Sequence, residues 1–276
     1  MGFLNKFWSK KKVLTDTQNL IQPIEVPENW DFYMCQIDDQ PASYFLNLAL
    51  SDVAPIATRP NLLWLELKMN YANEDGLSSS EESDALFAVE DALIPALNAQ
   101  SNALYIGRLT HNDTRDLYFY CANEVEKIKN IIFQVMQSFS TYQYRIGSRS
   151  DANWSTYFDC MYPNEEIIQC ISNRSVLDNL RKHGDSLTIA RPIDHWIYFQ
   201  NETDQVHFIT AIKALAFNVI QQNRMDENQD YPYQLQISKI GDIHQEAIDE
   251  CVLQLWQLAK QSNAEYDGWE TQIIKN

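Results

Sequence analysis

Leu104-Tyr-Ile-Gly-Arg108 and Leu117-Tyr-Phe-Tyr120 are short aromatic and branched runs joined by a polar stretch. Asn123-Glu124 follows, then apolar residues at helical spacing: Val125, Ile128, Ile132, Val135 and Phe139. Tyr142-Gln-Tyr-Arg-Ile146 closes the unit as a third strand. The order strand, strand, helix, strand recurs about 80–90 residues later. There the runs are Leu187-Thr-Ile-Ala-Arg191, Trp196-Ile-Tyr-Phe199, a stripe of Val206, Ile209, Ile212, Ala216 and Val219, and Tyr233-Gln-Leu-Gln-Ile237. Each helix is expected to be capped by an asparagine, Asn123 or Asn201, with an acid at Glu126 or Asp204 in its first turn.

Upstream of the first copy lie three strand-like runs, Trp30–Ile37, Ser43–Leu50 and Asn61–Met69. In the last, Leu63, Leu65 and Leu67 alternate with Trp64, Glu66 and Lys68. Ser79 and Glu82 form a capping-box pattern before a helix bearing Leu86, Val89, Leu93 and Leu97, which Pro95 is expected to kink or end. The last strand and this helix complete a βαββαβ order with the first copy. Before the second copy a helix runs from Asn164 to Arg181-Lys-His183 and stops at Gly184. After it, Asp242 with Gln245 opens a final helix carrying Ile248, Cys251, Leu255 and Leu258. The expectation is an α+β protein: two ferredoxin-like domains in tandem, each an antiparallel sheet with helices on one face. The expected divisions are a basic tail over 1–24, an N-terminal domain over 25–152 and a second domain over 164–276, with a polar boundary near 150–163.

Charge narrows the functions. Formal net charge is −17. Residues 1–12 hold four lysines and no acid, leaving −21 for residues 13–276. Such a surface repels phosphate backbones, which disfavours direct nucleic-acid binding and favours a basic protein partner. Seven glycines in the whole chain, and neither GxGxxG nor GxxxxGK[ST], leave no phosphate-cradling loop. Five cysteines, an odd number without CxxC spacing, read as reduced thiols of a cytoplasmic protein. No apolar run is long enough to span a membrane, and no signal peptide is legible. Phe3, Leu4, Phe7 and Trp8 beside the lysines leave two readings of the tail, a weak contact with anionic lipid or a loose terminus.

None of the five histidines has metal-ligand spacing, no GxSxG elbow occurs, and no cofactor site is legible. Asp194 beside His195 could orient a base, but neighbours on a strand point to opposite faces. Tyr266-Asp267-Gly268-Trp269, just past the last helix, is read as a tight turn packed on the sheet or as a partner-binding corner.

That terminal motif, with Gly184-Asp185 through Phe199, resembles the bacterial RraB family of protein regulators of ribonuclease E activity, over residues 164–276. Residues 30–149 resemble the domain-of-unknown-function family 695. The resemblance implies a ferredoxin-like fold and a non-enzymatic role: binding a ribonuclease through protein contacts and restraining RNA cleavage. Two other classes stay open: an enzyme with a site in the cleft between the halves, and a structural protein whose halves mainly bind each other. A pocket joining His195 to a carboxylate and a cysteine would favour the enzyme.

Overall fold

A computed structural model describes residues 26–225 and 230–275. The basic tail and its two readings lie outside them. The first unit opens with a hairpin, β1 (Trp30–Ile37) and β2 (Gln40–Asn47), turned at Asp38 and Asp39. Both turn residues have positive φ, 50° and 62°, as a two-residue turn matched to strand twist requires. Then come β3 (Asn61–Lys68), α1 (Ser80–Ser101), β4 (Leu104–His111), β5 (Thr114–Cys121), α2 (Val125–Met136) and β6 (Gln143–Ser150). All six strands form one antiparallel sheet in the order β1-β2-β4-β5-β3-β6. At Gly107 the backbone passes so close to β2 that a Cβ would lie 2.4 Å from the Phe45 carbonyl oxygen.

The long helices α1 and α2 pack on one face over Leu63, Leu65, Leu67, Leu117 and Phe119. The opposite face is covered too, by the 3-10 turn Leu48–Asp52 and the π-helical turn Thr156–Met161. Trp154 stacks on Tyr120 with ring centroids 3.9 Å apart. Asp151 ties this aromatic segment down, accepting hydrogen bonds from Tyr120 Oη, Thr156 Oγ1 and Ser155 Oγ. Residues 151–162, polar at their start, thus build a second core.

α3 (Glu165–Lys182) joins the units. Its Ile171 belongs to that second core, while Leu177 and Leu180 belong to the core of the next unit. Arg174 pairs with Asp31 and lies over the Phe32 ring. The second unit is β7 (Arg191–Phe199), α4 (Glu202–Lys213), β8 (Asn218–Arg224), β9 (Tyr233–Gly241), α5 (Gln245–Gln261) and β10 (Ala264–Glu270). Its antiparallel sheet has the order β10-β7-β9-β8. Two antiparallel sheets with segregated helices make the chain α+β.

Several expectations are corrected. The repeat is not strand, strand, helix, strand in its second copy: Leu187–Ala190 is not a strand, and Trp196–Phe199 is the second half of β7. Leu187 has φ +57°, and its N–H donates to the Asp185 carboxylate, so the backbone turns there. α4 ends at Lys213, and Val219, read as helical, lies in β8. α1 runs through Pro95, which is exposed, so water reaches the freed carbonyl while buried Leu93 and Leu97 hold the helix. The capping box is half made: Ser79 accepts from the Glu82 N–H, but the buried Glu82 carboxylate accepts instead from the N–H groups of Asn70 and Tyr71. Asn201 caps α4, whereas Asn123 bonds Asn61 and α2 has no side-chain cap. His244, not Asp242, caps α5.

Candidate functional site

Asp194 and His195 sit on β7, a central strand, and Tyr266 to Trp269 on β10 beside it. The terminal motif is therefore a strand rather than a turn. A bulge between Tyr266 and Gly268, with Gly268 at φ +134°, lets both aromatic rings face inward although they are three residues apart. Trp269 pairs with His195 and Glu270 with Asp194 in register. Strand alternation sends His195 inward with Ile193 and Ile197, and Asp194 outward.

Trp269 is 4% exposed, and its Nε1–H donates to Asn173 Oδ1 on α3 at 2.8 Å. Asn173 Nδ2 donates to Asp249 on α5, so one polar chain ties β10, α3 and α5 together. Past the motif, Asp185 and Arg191 form a buried two-pronged ion pair. Asp185 also accepts from the Ile274 N–H, and Arg191 donates to the Gln272 carbonyl, which pins the chain after β10 onto the start of β7. These bonds hold the Asp185 carboxyl well below the usual carboxylate range. The pair lies where a hairpin strand was expected. Its only sequence signal is two opposite charges six residues apart.

His195 is fully buried, with Nδ1 2.8 Å from the Tyr266 hydroxyl and Nε2 3.8 Å from the Cys251 sulfur. Both approach a cleft of about 260 Å³ between the sheet and α5, lined also by Phe217, Lys239, Glu250 and Gln254. His195, a carboxylate and a cysteine do share this pocket, but it lies inside the second unit, not between the halves. Its chemistry runs against nucleophilic use. Burial lowers the His195 pKa from 6.5 to about 3 and raises that of the Cys251 thiol. The two contacts fit either tautomer of the ring: the Tyr266 hydroxyl donates to Nδ1 when the proton sits on Nε2, and accepts from Nδ1–H when Nε2 faces the Cys251 sulfur with its lone pair. Among the described residues, no three His, Cys, Asp or Glu side chains are grouped to hold a metal ion. No helix among them is long and apolar enough to cross a membrane.

The outer face of the same sheet was not singled out in the sequence. Trp196 and Tyr198 alternate with His195 and Ile197, so they project opposite the helices, together with Asp194. Both rings are half-buried and belong to none of the three hydrophobic cores. Glu265, Asp267 and Glu270, all exposed, stand on the neighbouring edge strand.

An inward structural motif with an outward aromatic and acidic face describes a two-unit α+β protein built around sheet surfaces. Comparison with known families makes this particular. Residues 28–162 match the family of unknown function DUF695, and residues 170–271 match the family Regulator of ribonuclease activity B, RraB. The two matches follow one another along the chain in the order that the sequence led us to expect. No curated protein matches it. Among solved structures, it is similar to a protein of unknown function from Galdieria sulphuraria, at 7% identity and TM-score 0.21, covering 76% of this chain and 97% of that one. It is also similar to a candidate glycine cleavage system transcriptional repressor, at 10% identity and TM-score 0.21, covering 78% and 98%.

Proposed function

We propose that this protein is a non-enzymatic, acidic, protein-binding regulator, whose second domain restrains a ribonuclease by contacting protein and not RNA. The observation that carries the reading is the match of residues 170–271 to the ribonuclease-regulator family. The net charge of −17 supports it, because an acidic surface favours a basic protein segment over a phosphate backbone. Both domains are read as ferredoxin-like: β3-α1-β4-β5-α2-β6 and β7-α4-β8-β9-α5-β10 follow one βαββαβ order. Their spatial orders, β4-β5-β3-β6 and β10-β7-β9-β8, are the same arrangement read from opposite ends. The protein is read as cytoplasmic, with the domain division as expected from sequence.

The test is a ribonuclease cleavage assay with the purified chain, paired with affinity capture at two salt concentrations. Slower cleavage is expected, with capture weakening as salt rises past ~0.15 M, where charge attraction is screened. Tight binding of labelled RNA at low salt would overturn the reading. One observation keeps the enzyme reading in view, the pocket shared by His195, Glu250 and Cys251. Turnover of any small substrate abolished by His195→Ala would promote it.

A further inference from the structure

We propose that the cleft between the second sheet and α5 binds one small zwitterion, an α-amino acid with an apolar side chain, its carboxylate at Lys239 and its ammonium at Glu250. This goes beyond the regulator reading, which stands or falls separately.

α5 carries two neighbouring stripes at helical spacing. Ile248, Val252, Leu255 and Ala259 are buried and fix the helix on the sheet. Ala247, Glu250, Cys251 and Gln254, spaced i, i+3, i+4 and i+7, form the second stripe and line the cleft. The facing wall is Ile193 and His195 on β7 with Lys239 on β9. Lys239 is directly opposite Ile193 in register, so it too projects toward the helix side. Small residues keep the space open. The helix offers only the Ala247 methyl, and at Gly241 a Cβ would come within 3.1 Å of Ile193 Cδ1.

Volume and chemistry select the occupant. The cleft of about 260 Å³ is below the ~300–1,000 Å³ of sites for drug-sized ligands, so it suits a small metabolite and not a nucleotide. Ile193, Phe217 and Ala247 give it apolar surface, and the Lys239 ammonium lies 5.3 Å from the Phe217 ring centre. Opposite charges flank one sulfur: burial raises the Cys251 thiol pKa first, Lys239 draws it down and Glu250 pushes it up. Lys239, Glu250 and Asp242 are all exposed, which puts both signs of charge at the mouth. A ligand carrying both signs beside an apolar side chain meets its complement at every wall. A phosphate or dicarboxylate would face two acids, and a diamine would face Lys239.

The test is equilibrium dialysis of the full chain against three radiolabelled probes: L-leucine, 4-methylpentanoate, which lacks the ammonium, and 3-methylbutylamine, which lacks the carboxylate. L-Leucine should bind saturably, one per chain, and each truncated probe about tenfold more weakly. Lys239→Met should weaken L-leucine about tenfold but 3-methylbutylamine less than about twofold. Glu250→Gln should weaken L-leucine about tenfold but 4-methylpentanoate less than about twofold. Ala247→Phe, checked by circular dichroism to keep its fold, should abolish binding of all three by filling the cleft. Lys213→Met, exposed at the end of α4 and outside the cleft lining, should change each by less than about twofold. Uptake of L-leucine that does not saturate would overturn the proposal. So would 4-methylpentanoate binding as tightly as L-leucine, or charge variants that weaken all three probes equally. Slowed cleavage in the ribonuclease assay, scored separately, leaves the regulator reading standing in each of these cases.

Discussion

The bond between Trp269 and Asn173 offers a sharp test of how β10 is held. The indole is 4% exposed in the core of the second unit, and its N–H meets the buried Asn173 Oδ1 at 2.8 Å. Trp269→Ala removes ring volume and hydrogen bond together and should cost on the order of 3–5 kcal/mol. Trp269→Phe keeps most of the packing but strands Asn173 Oδ1, a loss of about 1–3 kcal/mol. Asn173→Leu strands the indole N–H by a similar ~1–3 kcal/mol. Asp249 would then lose the Asn173 donor but keep that of Gln245 Nε2. Joining Trp269→Phe to Asn173→Leu removes both polar partners at once, so the double variant should be less destabilised than the sum of the singles by roughly 1–2 kcal/mol. Urea denaturation followed by circular dichroism supplies the four midpoints. Strict additivity would refute a buried, coupled bond. A shift below ~1 kcal/mol for Trp269→Ala would refute the packing of the strand itself.

Three further outcomes follow from other residues. Asp116 has a buried oxygen, Oδ1, without a hydrogen-bond partner, and burial raises its pKa from 3.8 to about 6, with Glu66 adding to the effect. The folded state prefers the protonated acid, so this stabilisation is complete below about pH 4 and lost as pH rises through about 6; Asp116→Asn should gain on the parent by up to ~3 kcal/mol between these limits, and a melting-temperature difference flat across pH would contradict this. Arg191→Met leaves Asp185 buried without its cation and should cost about 3–5 kcal/mol at neutral pH. Because the Asp185 pKa is depressed in the folded state, that deficit should shrink as pH falls below about 4, and acid melting curves that stay parallel would exclude the pair as its source. Pro95→Ala should stabilise α1 by on the order of 1–3 kcal/mol in calorimetry, since the position is exposed within a helix; a lowered midpoint would show that the ring contributes there.

The first unit was largely legible from its sequence because its signals are local. Leu63, Leu65 and Leu67 alternate on β3, and Ile128 and Ile132 stripe α2 at helical spacing; both patterns are set by residues a few positions apart. The motif in the terminal segment was also legible, as were the asparagine cap of α4 and the acidic balance of the chain. The second unit misled at its local signals. Leu187–Arg191 has strand composition, yet a carboxylate at Asp185 and a guanidinium at Arg191 bond each other and turn the backbone between them. β8 is mostly polar and exposed, and as an edge strand it takes its hydrogen bonds from β9 rather than from any pattern of its own. Whether Tyr266-Asp267-Gly268-Trp269 turned or extended depended on β7 lying alongside it. Only the assembled sheet decided that His195 is enclosed against Tyr266 and Cys251 while Trp196 and Tyr198 face outward near Glu265 and Glu270. Composition and period are written in neighbouring residues, but a sheet's faces and a buried group's partners come from strands 70 or more positions apart, as Tyr266 and His195 are, and are settled only when the chain closes on itself.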